Sequence, residues 1–237
     1  MKNLTKYGSL IFCLFLSTAF SSGYEKTKDI KKGENLFNNS CASCHIEKIE
    51  EYSKSFPLHP RDLRLSLLSE EQMYLVTKKG SAHYGSLTGN MIGFEYIYTD
   101  DEVKDIVAYI HTSLNINYKI AKELYEKSQK IPTDKSKEEV LSNGKKIYLK
   151  RCIHCHGPNG KADGVAVQAS NGNLLPYDLT KTLLTYEQKF LFTKYGSKHW
   201  GTAKNDMPAW GNTYDDYSIH SVIEYINLMI KTYDTNK

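Results

Sequence analysis

IKKGENLFNNSCASCH, residues 30–45, and LSNGKKIYLKRCIHCH, residues 141–156, are two copies of one pattern. They align at an offset of 111, with Gly33 on Gly144, Leu36-Phe37 on Ile147-Tyr148, and a Cys-x-x-Cys-His run closing each. Further on the offset becomes 116. Asp62 and Leu63 then fall on Asp178 and Leu179, Glu71-Gln72 on Glu187-Gln188, and Tyr109-Ile110 on Tyr225-Ile226. Gly80, His83, Gly85 and Met91 fall on Gly196, His199, Gly201 and Met207. So many matches at a fixed spacing identify an internal duplication. The change of five places an insertion in the second copy, in the Gly-rich run after His156.

The closing run has a specific chemical meaning. Cysteines at i and i+3 share one face of a helical turn, where they can bond the two vinyl groups of a porphyrin. A histidine directly after the second cysteine then sits under the ring with a nitrogen aimed at the iron. Cys41, Cys44 and His45, and Cys152, Cys155 and His156, therefore read as two attachment sites for covalent haem c. Zinc would need a further pair of ligands at each site, and neither copy has another cysteine. A thioredoxin-like pair would be expected in a βαβ setting, and the sequence shows none.

The first 23 residues read as an export signal. Lys2 and Lys6 precede the apolar run Leu10–Leu16, and Ser17–Gly23 supplies small residues for cleavage. The run falls short of the roughly 20 residues of a membrane span, so membrane association is expected only if this segment stays uncleaved. Cys13, the fifth cysteine, leaves with it. Removing residues 1–23 takes two lysines and no acids, which lowers the formal charge from +4 to +2. That balance does not point to nucleic acid. The expected location is the periplasm.

Both copies read as all-α. Val103, Ile106, Val107 and Ile110, and Ile219, Val222, Ile223 and Ile226, follow helical spacing. Thr99 with Glu102, and Thr213 with Asp216, read as N-terminal caps of those last helices. The divisions expected are a domain over 27–116, a linker over 117–137 broken at Ile131-Pro132, and a domain over 138–237. Domains this small depend on a buried cofactor for much of their core.

At this point the chain resembles a known family, the tandem dihaem cytochromes c, built from two class I cytochrome c folds. The resemblance spans about residues 27 to 235. It rests on Gly33 and Gly144 before each motif, CASCH and CIHCHG, the Pro-x-Asp-Leu segments, and Met207-Pro208-Ala209-Trp210-Gly211. It implies that first and last helices cross closely in each domain, Gly33 beside Tyr109 and Gly144 beside Tyr225. It also implies a methionine opposite each histidine on the iron: Met207 in the second copy and Met91 in the first. The first copy departs from the pattern, with Ile92 where the second has Pro208. His83 stays open there as an alternative ligand, since it is repeated as His199. Among the remaining histidines, His111 and His220 read as surface positions, His154 as facing away from the ring, and His59 as unassigned. The paired aromatics Tyr84/Trp200 and Phe94/Trp210 read as packing around the pocket.

Two six-coordinate irons leave no site for substrate, so the expected function is one-electron transfer. The expected partners are other redox proteins: cytochromes, terminal oxidases or reductases, or quinol-oxidising complexes. Lys145, Lys146, Lys150, Arg151 and Lys48 could steer an acidic partner or simply be solvated. A peroxidase-like or sulfur-compound-oxidising enzyme would require an open iron, and only the first copy offers a candidate. An electron-transfer subunit of a larger complex is the third reading.

Overall fold

Each half starts with a helix whose cap is written into the sequence. The computed structural model describes residues 28–47, 61–87, 91–202 and 207–235. The segment read as an export signal, Lys48, His59 and Pro60 lie outside them. Helix α1 (Ile30–Ser40) opens on Asp29, whose side chain accepts from the Lys32 N–H. Helices α2 (Glu70–Lys79), α3 (Asp100–Tyr109), α5 (Lys137–Ile147) and α6 (Tyr186–Tyr195) open on reciprocal capping boxes: Ser69 with Gln72, Thr99 with Glu102, Ser136 with Glu139, Thr185 with Gln188. Between α3 and α5 lies α4 (Asn117–Glu126), and α7 (Asp216–Thr235) closes the chain. Among the described residues there is no strand.

One expected cap moves. At the start of α7 it is Asp215 that accepts, from the Ser218 N–H at 2.8 Å, rather than a Thr213–Asp216 pair. Asp215 is the true counterpart of Thr99 at the 116 offset, and Asp216 is occupied elsewhere: its carboxylate takes Lys194 Nζ at 2.5 Å and the Gln129 N–H at 2.9 Å.

The halves share one core design. Helix α1 crosses α3, and α5 crosses α7. A Cβ on Gly33 would stand 2.0 Å from the Asp105 carbonyl oxygen, and one on Gly144 2.0 Å from that of Ser221. Only glycine allows backbones so close. One turn on, Phe37 meets Tyr109 and Tyr148 meets Tyr225, both pairs with centroids 5.5 Å apart and planes at 54°. Phe37, Val103, Ile106, Val107 and Ile110 are buried in the first half, and Tyr148, Val222, Ile223 and Ile226 in the second. Each such side chain contributes roughly 1.5–3 kcal/mol by leaving water.

The two halves dock about an internal pseudo-twofold, in which each contact recurs with the partners exchanged. Gln72 Nε2 donates to Gln188 Oε1 at 2.8 Å and Gln188 Nε2 to Gln72 Oε1 at 2.8 Å. The second amide proton of each goes to a main-chain carbonyl of the other half, Leu183 and Leu67, at 2.6 Å. The Asp62 N–H reaches the Gly201 carbonyl at 2.7 Å, and the Asp178 N–H reaches that of Gly85 at 2.9 Å.

The segment between the halves packs on the second one. Ala121, Leu124 and Tyr125 of α4 join Phe190, Leu191, Trp200 and Ile219 in a cluster that also takes Leu67 from the first half. The helix stops at Glu126, ahead of Ile131-Pro132.

Candidate functional site

Cys41 and Cys44 sit in a turn where the Cys44 and His45 N–H groups both donate to the Cys41 carbonyl, at 3.1 and 3.0 Å. In the second half a wide turn, Tyr148–Cys152, runs into a single α-turn, Ile153–His156. A comparable wide turn, Ser43–Glu47, contains His45. Such i→i+5 turns are rare and concentrate at functional sites.

The histidines are oriented by the main chain. His45 Nδ1 lies 2.8 Å from the Arg61 carbonyl oxygen, and His156 Nδ1 lies 3.1 Å from that of Tyr177. A carbonyl can only accept, so Nδ1 carries the proton and Nε2 keeps its lone pair. This is the tautomer a metal-binding imidazole needs. Burial lowers the pKa of both rings, and the bond to the carbonyl only partly offsets it, so the neutral, ligating form is favoured.

The thiols report a consistent environment. Burial, with the neighbouring cysteine adding to it, pushes Cys41 up to about 11 and Cys152 up to about 12. Among the described residues no cluster of three or more His, Cys, Asp or Glu side chains could hold a metal ion, and none of Cys41, Cys44, Cys152 and Cys155 is in a disulfide. The residues fit a covalent porphyrin: a thiol pair, a bare Nε2 beside it, and an apolar crevice at Cys152 lined by Trp210, Tyr214, Ile219 and Val222.

The two methionine segments are held alike despite their different sequences. The Ser81 N–H donates to the Met91 carbonyl and the Ser197 N–H to that of Met207, both at 3.0 Å. Three residues on, the Phe94 N–H bonds the Thr77 carbonyl and the Trp210 N–H bonds that of Thr193, again at 3.0 Å. Each methionine is half-buried. Gly80 and Gly196, with φ of +83° and +78°, let the loop close over the end of α2 or α6, since a Cβ there would meet the Met91 or Met207 carbonyl within 3 Å. His83 and His199 are exposed, in short turns, against Tyr84 and Trp200.

Phe94 stacks on Tyr98 with centroids 5.9 Å apart, and Trp210 meets Tyr214 at 6.1 Å with the planes tilted by 45°. Trp200 is fully buried and bonds the Leu191 carbonyl through its indole N–H, so it is core rather than pocket lining. The surface reading of two histidines is corrected. His220 is 2% exposed, stacked against Tyr186 and Phe190, with its Nδ1 3.0 Å from the Tyr186 hydroxyl oxygen. His111 is half-buried with Nε2 3.2 Å from the Leu68 carbonyl. Aromatic cover arriving from α6 is not visible in the sequence of α7 alone. His154 is exposed, as are Lys145, Lys146, Lys150 and Arg151.

Sequence reasoning missed three features: the Arg61 and Tyr177 carbonyls that orient the histidines, the Gln72–Gln188 pair, and the Gly85 and Gly201 contacts between halves. The last two carried a signal, since Gln72 and Gly85 recur as Gln188 and Gly201 at the 116 offset.

Comparison with known proteins agrees with this construction. The cytochrome c family model matches residues 30–113, and the model for cbb3-type cytochrome c oxidase subunit III matches 139–226. The chain is 23% identical over 202 residues to the cbb3-type cytochrome c oxidase subunit FixP of Bradyrhizobium diazoefficiens, covering 83% of this chain and 59% of that one. It is 27% identical over 221 residues to subunit CcoP of Azospirillum brasilense, covering 86% and 64%. The chain thus spans about three fifths of the length of these curated relatives. A Kuenenia stuttgartiensis reducing HAO-like protein complex has a chain that aligns with TM-score 0.45 and 21% identity, over 84% of this chain and 96% of that one. With a cytochrome c domain in each half and a haem-attachment motif in each, the chain is an all-α tandem dihaem cytochrome c carrying covalently bound haem c.

Proposed function

We propose that this chain carries single electrons between redox proteins, with one haem in each half. The ligands are His45 and Met91 on the first iron and His156 and Met207 on the second, with Cys41, Cys44, Cys152 and Cys155 as the thioether anchors. The observation that carries this reading is the matched pair of methionine loops, pinned at both ends by equivalent hydrogen bonds although Ile92 replaces Pro208. When bound, a haem with histidine and methionine ligands supplies a one-electron couple of raised potential. The chain's own carbonyls fix the imidazole tautomer in each half, and in the second half Trp210, Tyr214, Ile219 and Val222 would help to keep water from the group held at Cys152. Exposed His83 and His199 are left outside the ligand set.

Both curated relatives are named as subunits of cbb3-type oxidases, which supports a terminal oxidase as the class of partner. The proposed workplace is the outer side of the cytoplasmic membrane. No described helix is long and apolar enough to cross a membrane. The domain limits proposed remain 27–116 and 138–237, joined by 117–137.

The test is an absorption spectrum of the reduced protein before and after carbon monoxide. Two haems unchanged by the gas support the carrier. Binding at one haem supports a catalytic iron instead, and binding at both removes Met91 and Met207 as ligands.

A further inference from the structure

The peptide group between Arg61 and Asp62 makes two hydrogen bonds in opposite directions. Its carbonyl accepts from His45 Nδ1 at 2.8 Å, and its N–H donates across the interface to the Gly201 carbonyl at 2.7 Å. The Tyr177–Asp178 peptide does the same in reverse: its carbonyl accepts from His156 at 3.1 Å, and its N–H donates to Gly85 at 2.9 Å. One conjugated amide therefore joins each haem histidine to the opposite half.

The arrangement is tightly built. Gly85 and Gly201 sit at φ of +92° and +83°, and a Cβ would stand 2.5 Å from the Asp178 oxygen or 2.4 Å from the Asp62 oxygen. The reciprocal Gln72–Gln188 amides, each 7% exposed, fix the register beside them.

We propose that Gly85 and Gly201 are cross-domain positioning residues, each tuning the reduction potential of the haem in the other half. An amide that donates its N–H polarises its own carbonyl and becomes a better acceptor. A better acceptor at Nδ1 makes the imidazole a stronger donor to iron, which favours the ferric state. Docking of the halves thereby lowers both potentials, and a change in docking moves them together. This rests on the proposed His45 and His156 ligation.

The experiment uses the haem-loaded full chain. Gly201→Ala should raise the potential of the haem anchored at Cys41 and Cys44, and Gly85→Ala that of the haem at Cys152 and Cys155. The two haems are told apart by their methyl resonances. The expected size is about a threefold change in the ferric-to-ferrous ratio at fixed ambient potential, roughly 30 mV for one electron. A shift confined to the haem of the mutated half, or no shift, overturns the proposal.

Asp62→Pro gives a second route if the alanine variants do not load haem. Its φ of −68° suits proline, and the change deletes the donor N–H that Asp62→Asn keeps. Both variants lose the carboxylate that acts on His45, so the difference between them isolates the N–H: the proline variant should raise the potential of the first haem above that of the asparagine variant. If two covalent haems remain and titrate normally while these shifts fail, the coupling is wrong and the carrier reading stands. If the unmodified chain holds no covalent haem, the carrier reading fails first.

Discussion

The same ion pair occurs once in each half and meets two different environments. Lys78 pairs with Asp100 at 2.6 Å in the first half, and Lys194 with Asp216 at 2.5 Å in the second, equivalent at the 116 offset. The Asp100 side chain is 59% exposed and that of Asp216 is 13% exposed. The difference comes from the segment between the halves, whose Gln129 N–H caps the Asp216 carboxylate. Duplication kept the scaffold of each half. The divergence lies in what was laid over it.

Removing the covalent anchors tests the likeness of the halves most severely. Cys152→Ala with Cys155→Ala, and separately Cys41→Ala with Cys44→Ala, should each leave one haem per chain by intact mass. The second-half variant should lose more thermal stability, because Leu67 of the first half and α4 both rest on the second-half core.

The helix crossings should respond equally. Gly33→Ala and Gly144→Ala both drive a Cβ to 2.0 Å from a main-chain oxygen. Each should cost about 3 kcal/mol or more in denaturant unfolding. A large inequality would mean that the two crossings are not equivalent.

The ion pairs should respond unequally. Asp216→Asn should cost about 1–3 kcal/mol at neutral pH, and Asp100→Asn clearly less. Burial pushes the Asp216 carboxyl up, yet the Lys194 ammonium and the Gln129 N–H together outweigh it and hold the pKa below its ordinary value. The unfolded chain then takes up the proton first as pH falls. The stability gap between parent and Asp216→Asn is therefore full above the ordinary carboxylate range, and it closes in acid as pH falls through the lowered value. Chemical unfolding across that range measures it.

The smallest effect concerns the methionine loops. Ile92→Pro should stiffen the first loop to resemble the second, adding about 0.4–1 kcal/mol. Imidazole should then displace Met91 more slowly, with Met207 unaffected.

The sequence made the duplicated scaffold readable because its demands are local. Attachment of a porphyrin needs cysteines at one spacing, and a close crossing needs glycine at Gly33 and Gly144. Helix caps are readable for the same reason at Thr99, whereas the expected Thr213–Asp216 pair falls two residues ahead of the cap that forms, Asp215 with Ser218. What could not be read depends on the other half of the molecule. His220 looks solvent-facing on α7 until Tyr186 and Phe190 of α6 cover it. Gln72 looks like a helix cap until its amide is seen to serve two halves at once. The Arg61 and Tyr177 carbonyls have no side-chain signature at all.

Spectroelectrochemical titration of the intact chain tests the central claim most directly. Two one-electron steps per polypeptide, each with the low-spin spectrum of a methionine–histidine haem, are expected. Uptake of only one electron per polypeptide, or a high-spin five-coordinate signal at either haem, would contradict it.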